Sequence, residues 1–376
     1  MPIYLDHNAT TPISSAVVEA MMPYMSGIYG NPSSVHRFGR LTRDALEQAR
    51  VQVAQFVDAE PNQVVFTSGG SEANNLAVKG CLLNQPPARI AVSSIEHACM
   101  LEPAKEMSKL AWELDLLLVD DQGQVAIDQL ESVITRQTKF VSVMAANNET
   151  GVVQNISGLV DVAKSVNPDL LFHSDACQMA GKLPISFKQL GLDLMSMSSH
   201  KLYGPQGAGA LIVSRSIDLQ PQILGGGQEK GLRSGTENLA AIVGFGRAAE
   251  LAVEAQQTRK EHALKLQQQL VESLIALPDI TVFSAQTERL PNTVQFSVQG
   301  IDGETLLMQL DRKGFAVSSG SACDSGRTDP SHVLMAMGVE KNMAKGAVRV
   351  SFGEQNTSEQ VVQFIDALAQ IRQQFN

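Results

Sequence analysis

The chain has 376 residues, of which 44% are hydrophobic and 18% charged, and carries a formal net charge of −10 at pH 7. The acidic balance argues against nucleic acid as a main partner, because a phosphate backbone needs a basic face, and the Lys/Arg residues form no basic tract. No apolar run approaches the roughly 18 residues of a membrane span, so no membrane partner is expected. The length allows a large core and two domains.

The opening "MPIYLDHNATTP" turns polar at once, which argues against a signal peptide and makes the cytoplasm the expected location. Four cysteines, Cys81, Cys99, Cys177 and Cys323, form no CxxC pair. Neither a zinc ribbon nor a redox dithiol is signalled, no metal is expected, and free thiols suit a reducing compartment.

In chain order, "RLTRDALEQARVQVAQFV" (40–57) has apolar residues at helical spacing. The runs "QVVFT" (63–67), "RIAVSS" (89–94), "LDLLLV" (114–119), "KFVSVMAA" (139–146), "LLFHS" (170–174), "LMSMS" (194–198) and "GALIVS" (209–214) have the length of strands. Their hydrophobicity is continuous rather than alternating, which predicts strands covered on both faces. Strands alternating with helices predict an α/β class with a mainly parallel, helix-flanked sheet. A long Gln-rich amphipathic helix follows over about 240–275 and bridges to a second unit. There "NTVQFSV" (292–298), "FAVSSGSA" (315–322) and "AVRVSFG" (347–353) read as strands of a smaller α+β domain.

The chemistry sits just after the strands. "VVFT" is followed by "SGGSEANN", "IAVSS" by "IEHAC", "VSVMAA" by "NNETG", "LLFHS" by "DACQ" and "LMSMS" by "SHK". In parallel α/β sheets the carboxyl ends of the strands form the ligand crevice, so these residues are expected to converge. Each has a plain alternative. "SGGSE" alone serves equally as a turn into a helix capped by Ser71, His97 as a packing residue and Asp175 as a helix cap. Lys201 resists such a reading, because a lysine between two interior strands is costly without a task.

A phosphate cradle at Gly70 and Ser71, an acid at Asp175, an aromatic ring at His97 and the Lys201 amine together point to pyridoxal 5′-phosphate. That cofactor needs a lysine for a Schiff base, a carboxylate against its pyridinium nitrogen and a ring on its face. No GK[ST] follows the glycines, and no GxGxxG follows the first predicted strand, which argues against a P-loop and a dehydrogenase.

"YLDHNATTP", "GNPSSVHRFGR", "FTSGGSEANNLA", "IEHAC", "NNETGVVQ", "DACQ", "SSHKLYGPQGAGAL", "GGGQEKGLRSGTEN" and "SSGSAC" closely resemble the cysteine desulfurases of the NifS/IscS type, in order along nearly the whole chain. These are pyridoxal-phosphate enzymes of fold type I in the class V aminotransferase group. The resemblance implies a large domain over 13–255 and a small α+β domain made of 1–12 and 256–376, which carries a cysteine loop at about 318–332. It implies that Lys201 holds the cofactor, His97 stacks on its ring, and Asp175 pairs with the ring nitrogen. Gln178 and Asn148 reach the phenolic oxygen or its surroundings, while Gly70, Ser71, Ser198 and His200 hold the phosphate. Thr236, in "RSGT", is similar to a threonine lent to the phosphate of the neighbouring subunit, so a homodimer is implied. Arg349 matches the arginine that grips the substrate carboxylate, with Asn148 beside it, and Cys323 matches the sulfur acceptor.

The implied activity converts L-cysteine to L-alanine and passes sulfur, as a persulfide on Cys323, to an acceptor protein such as an iron–sulfur scaffold. A selenocysteine lyase and an aminotransferase of the same fold share most of these residues. Two departures stand out. Ser71 stands where the family often has threonine, which keeps the hydroxyl. Glu354 stands where many relatives carry arginine or another residue, which alters the electrostatics near Arg349. The chain also stops soon after its last predicted helix, where some relatives have a longer tail.

"AVSSGSACDSGRTDPSH" surrounds Cys323 with small and polar residues, a composition that makes a mobile loop. Cys81 and Cys99 lie in helical patterns and read as small buried hydrophobes. Cys177 is expected near the site without a chemical role.

Overall fold

The computed structural model describes residues 2–319 and 329–375. Cys323 and most of the loop expected around it lie outside the described residues. In chain order the elements are β1 (Ile3–Tyr4), α1 (Ser15–Ser26), α2 (Arg37–Phe56), β2 (Val64–Thr67), α3 (Gly70–Leu82), β3 (Arg89–Ser93), α4 (Ala98–Ser108), β4 (Glu113–Leu117), α5 (Ile127–Val133), β5 (Thr138–Ser142), α6 (Ile156–Val166), β6 (Leu171–Asp175), β7 (Leu194–Ser198) and β8 (Gly209–Val213). They continue with α7 (Leu239–Ile275), β9 (Ile280–Val282), β10 (Thr293–Val298), α8 (Gly303–Arg312), β11 (Phe315–Ala316), β12 (Ser318–Ser319), α9 (His332–Ala336), α10 (Lys341–Lys345), β13 (Ala347–Ser351) and α11 (Ser358–Phe375).

Seven strands form one sheet in the order β2-β8-β7-β6-β5-β3-β4. All run parallel except β8, which is antiparallel to both β2 and β7. The mainly parallel expectation therefore holds. The continuous apolar runs are explained by helices on both faces. Val64 and Phe66 of β2 enter one core, with Val53 of α2 and Phe245 of α7. Val65 enters the other, with Leu76 of α3 and Met100 of α4. Edge strand β4 departs from the pattern: Glu113 and Leu116 are exposed, as an unpaired edge permits.

A second, four-stranded antiparallel sheet runs β12-β13-β10-β9 and has its own core, built on Leu266, Leu270, Phe296, Val350 and Phe364. Helix α7 serves both. Its residues Leu239 to Ala252 pack in the first core, and Leu266 to Leu274 in the second. "FAVSSGSA" is not one strand but two short ones, β11 and β12, within its described part. β11 pairs with β1 and β12 with β13, so the run changes partners at Val317.

The end of β2 is fixed by a buried ion pair. Arg50 donates to both carboxylate oxygens of Glu229, at 2.8 and 2.7 Å, and to the Val64 carbonyl at 3.0 Å. Glu229 in turn accepts the Phe66 amide at 2.8 Å. Both side chains are almost wholly buried. Arg50→Met should leave Glu229 charged and unpaired, and cost about 3–5 kcal/mol of stability. Urea unfolding of the variant checks this, and adding Glu229→Gln should restore part of the loss.

Candidate active site

The sheet order sets the ends of β2, β3, β5, β6 and β7 along one edge, as expected for a parallel crevice. A cavity of about 250 Å³ opens there. Its lining includes Gly70, Ser71, His97, Asn148, Asp175, Gln178, Ser198, His200 and Lys201, so these predicted site residues meet in one place. Cys99, Met144 and Cys177 complete the lining.

At the start of α3 the backbone is bare. Gly69 has φ 157° and ψ −178°, a conformation essentially confined to glycine. A Cβ on Gly70 would lie 2.6 Å from the Cys177 Sγ. The helix N-terminus therefore reaches the cavity without side-chain cover, and helix N-termini favour anions.

Asp175 ends β6 and is 5% exposed. One oxygen accepts the Asn74 Nδ2 at 2.6 Å and the other the Cys177 amide at 2.9 Å. These two bonds hold the carboxylate in place. His97 is the N-cap of α4, and its Nδ1 accepts the Cys99 amide at 3.1 Å. An accepting Nδ1 in a neutral ring leaves the proton on Nε2.

Lys201 closes a short 3₁₀ turn after β7. Its Nζ donates to the backbone carbonyls of Asn8 at 2.6 Å and Ala9 at 2.8 Å. The N-terminal segment clasps this turn from outside. Thr11 Oγ1 donates to the His200 carbonyl at 2.8 Å and accepts the Tyr203 amide at 2.8 Å. Burial, with the Lys201 charge adding, pushes the His200 imidazole down to about 4, so this ring is neutral at pH 7.

Three predicted residues do not line the cavity. Thr236 is exposed and borders a neighbouring cavity with Ser68, Glu229 and Arg233. Arg349 is 3% exposed on β13, where it donates to Asp6 at 2.6 Å and to the Asn148 carbonyl at 2.9 Å. Its Nε lacks a partner among the described residues. Cys323 lies outside the described residues. Glu354 pairs with Arg259, which in turn lies 4.7 Å from the centroid of the Tyr203 ring.

One cysteine expectation needs correction. Cys81 is a buried packing residue as expected, but Cys99 is not. Its Sγ lies 2.9 Å from His97 Nδ1 and accepts the Asn74 Nδ2 at 3.0 Å, because the first turn of α4 faces the cavity. Burial pushes its thiol up to about 12, and raises that of Cys177 well above the usual range, so neither is a ready nucleophile at neutral pH. The spacing of residues did not single out Asn8, Asn74 or Lys182. Asn8 lay inside the quoted "DHNATTP", which was the available signal.

An α/β sheet with an amine, a carboxylate, an imidazole and a helix N-terminus at its carboxyl edge is the architecture of the aminotransferase class-V family. That family matches residues 3–364, and the chain belongs to it. Within it the chain is similar to the proteins of the NifS/IscS type. Cysteine desulfurase IscS of Dictyoglomus turgidum is 40% identical over 98% of this chain and 94% of its own. Among solved structures, a NifS-like protein superposes with a TM-score of 0.94 at 36% identity, covering 99% of this chain and 100% of its own. A structure of SspA in complex with cysteine superposes at 0.83 and 33% identity, covering 94% and 100%.

Beneath the cavity lies a buried acid. Glu96 Oε1 accepts the Ser93 hydroxyl at 2.9 Å and the Met144 amide at 2.6 Å, while Oε2 has no partner among the described residues. Burial, with the Asp175 charge adding, raises its carboxyl to about 8. A raised folded pKa gives stability that is fully present below about 4.5 and lost as pH rises through about 8. Glu96→Gln should remove a slope of at most about 1.4 kcal/mol per pH unit over that window. Melting temperatures of parent and variant at pH 6 and pH 8 check it: the parent should lose more on going to pH 8.

Proposed function

We infer that the protein is a cysteine desulfurase that uses pyridoxal 5′-phosphate. The observation that carries this reading is the meeting of Lys201, Asp175, His97 and the bare N-terminus of α3 in one cavity. The alignment of nearly the whole chain with a relative named cysteine desulfurase IscS supports the substrate.

The donor set fits the cofactor. Gly70, Ser71, Ser198 and His200 would hold its phosphate, and Asp175 its ring nitrogen. His97 would lie on the ring face, Gln178 and Asn148 near the phenolic oxygen, and Lys201 would bond its aldehyde carbon. When bound, pyridoxal 5′-phosphate supplies an electron sink for the carbon that bears the substrate amino group.

The chain does the rest. Arg349, with Asn148, orients the substrate carboxylate. The Lys201 amine takes the Cα proton of L-cysteine, and Asp175 would hold the ring nitrogen of the cofactor in its protonated form. The Cys323 thiolate attacks the substrate sulfur. The Cβ–S bond breaks with its electron pair staying on carbon, and a persulfide is left on Cys323. A proton then reaches Cβ by way of His97, which takes one up as it gives one away, Lys201 returns its proton to Cα, and L-alanine departs. The sulfur passes to an acceptor protein such as an iron–sulfur scaffold.

We also propose a homodimer in the cytoplasm. The exposed Thr236 would serve the neighbouring subunit's phosphate site, and the strongly exposed Tyr29, Val35 and Leu224 are apolar side chains that a subunit contact would cover. Among the described residues, no helix is long and apolar enough to cross a membrane.

Two variants test the assignments. Lys201→Ala should lose the visible absorption band of the lysine-bound cofactor. Cys323→Ser should keep that band and lose at least about 10³-fold in sulfide release with a thiol reductant. Full sulfide release by Cys323→Ser would move the acceptor to another residue. Gly70→Ala should weaken cofactor uptake by at least about tenfold, since its Cβ meets the Cys177 sulfur. Fluorescence titration of cofactor-stripped protein with pyridoxal 5′-phosphate checks this.

A further inference from the structure

Asn8 lies in a turn between the two sheets and is 1% exposed. Its side-chain amide makes four hydrogen bonds. Nδ2 donates to the Asn148 carbonyl at 3.1 Å and to Thr293 Oγ1 at 2.9 Å. Oδ1 accepts from Lys182 Nζ at 2.8 Å and from Asn292 Nδ2 at 3.1 Å. The orientation of the amide is fixed by chemistry, since a lysine can only donate and a carbonyl can only accept. Its two hydrogens and two lone pairs are all used.

The backbone of the same residue is equally engaged. Its N–H donates to Ser351 Oγ at 2.9 Å, and its carbonyl accepts both Gln178 Nε2 at 3.0 Å and Lys201 Nζ at 2.6 Å. Lys201 also donates to the neighbouring Ala9 carbonyl. An aliphatic amine is tetrahedral, so these two fixed acceptors constrain the direction in which it points. That direction decides whether a lysine can approach the Cα proton of a substrate.

The Asn148 carbonyl that Asn8 holds is also bonded by Arg349 Nη1. Asn8 thus joins the base assigned to the reaction to the arginine assigned to the substrate carboxylate. Lys182 adds to the constraint. It is also bonded to Gln178 Oε1 at 2.7 Å, so Asn8, Gln178 and Lys182 brace one another.

We propose that Asn8 is a positioning residue that sets where the Lys201 amine rests when it is not bonded to a carbonyl carbon, and keeps that berth in register with Arg349. The proposal rests on the desulfurase reading for its role in turnover, but the berth itself is independent of it. An aspartate at position 8 would lack both donors to Asn148 and Thr293. An alanine would leave Lys182, Asn292 and Asn148 without these partners while keeping the backbone carbonyl. Loss of the brace should let that carbonyl move.

The test uses the full chain in two forms. In the cofactor-loaded enzyme, Asn8→Ala should lower kcat for alanine formation from L-cysteine by about 10–100-fold, the range typical of residues that orient a reacting group. KM should change much less. In the cofactor-stripped full chain, Lys201 should be methylated by formaldehyde and cyanoborohydride about fivefold faster in the variant, relative to the exposed Lys109. Peptide mass spectrometry reads this ratio. A role confined to stability would lower the melting temperature and leave the ratio unchanged, and that outcome overturns the proposal. A kcat within twofold of the parent overturns it too. If Asn8→Ala does not fold, Asn8→Ser is read by the same ratio and the same limits. A parent that makes no alanine from cysteine sinks the desulfurase reading, and the methylation ratio still decides the berth.

Discussion

A lysine amine at the end of an interior strand must be held by acceptors, and here these include two consecutive backbone carbonyls, those of Asn8 and Ala9. Much of the site follows from this constraint. The carbonyls must stand still, so the segment that carries them is buttressed from the seven-stranded sheet by Gln178 and Lys182, and from the four-stranded sheet by Asn292, Thr293 and Ser351. The Lys201 turn is clasped in return by Thr11. The polar groups between the sheets thereby satisfy one another, as buried polar groups must.

Electrostatics completes the picture. Lys182 and Lys201 sit on the same residue, one on its side-chain oxygen and one on its backbone oxygen. Burial lowers the Lys182 ammonium well below the ordinary lysine range, and the charges of Lys201 and Arg349 add to the effect. Across the cavity the pressure is reversed. Asp175 raises the carboxyl of Glu96 and the thiols of Cys99 and Cys177, with burial the larger cause in each case.

Much of this was legible in the sequence. The strands of the large sheet are short, apolar and separated by helical patterns, and residues placed just after them had to gather at one edge. Gly70, Ser71, His97, Asn148, Asp175, Gln178 and Lys201 do so. Asn8 was not legible, because its importance comes from partners as distant along the chain as Thr293 and Ser351, and no local period reports such contacts. Asn74 was missed for a related reason: it reads as a helix residue, and only the packing of α3 brings it to Asp175. Cys99 shows the opposite error. Helical spacing suggested a core position, but a residue in the first turn of a helix that starts at the site faces the site. The break between β11 and β12 was invisible because both halves are apolar or small, and the change of partner is set by the sheets they join.

The chain's ends meet at its centre. β1 pairs with β11, and Asn8 is bonded to Ser351 on β13, so the lysine's berth is built from residues 343 apart along the chain. The large sheet is complete by Val213, yet its amine cannot be seated until β13 has been made. Such long-range closure is slow relative to local folding. Seating of this amine therefore belongs late in folding, in a molecule whose larger sheet has already condensed.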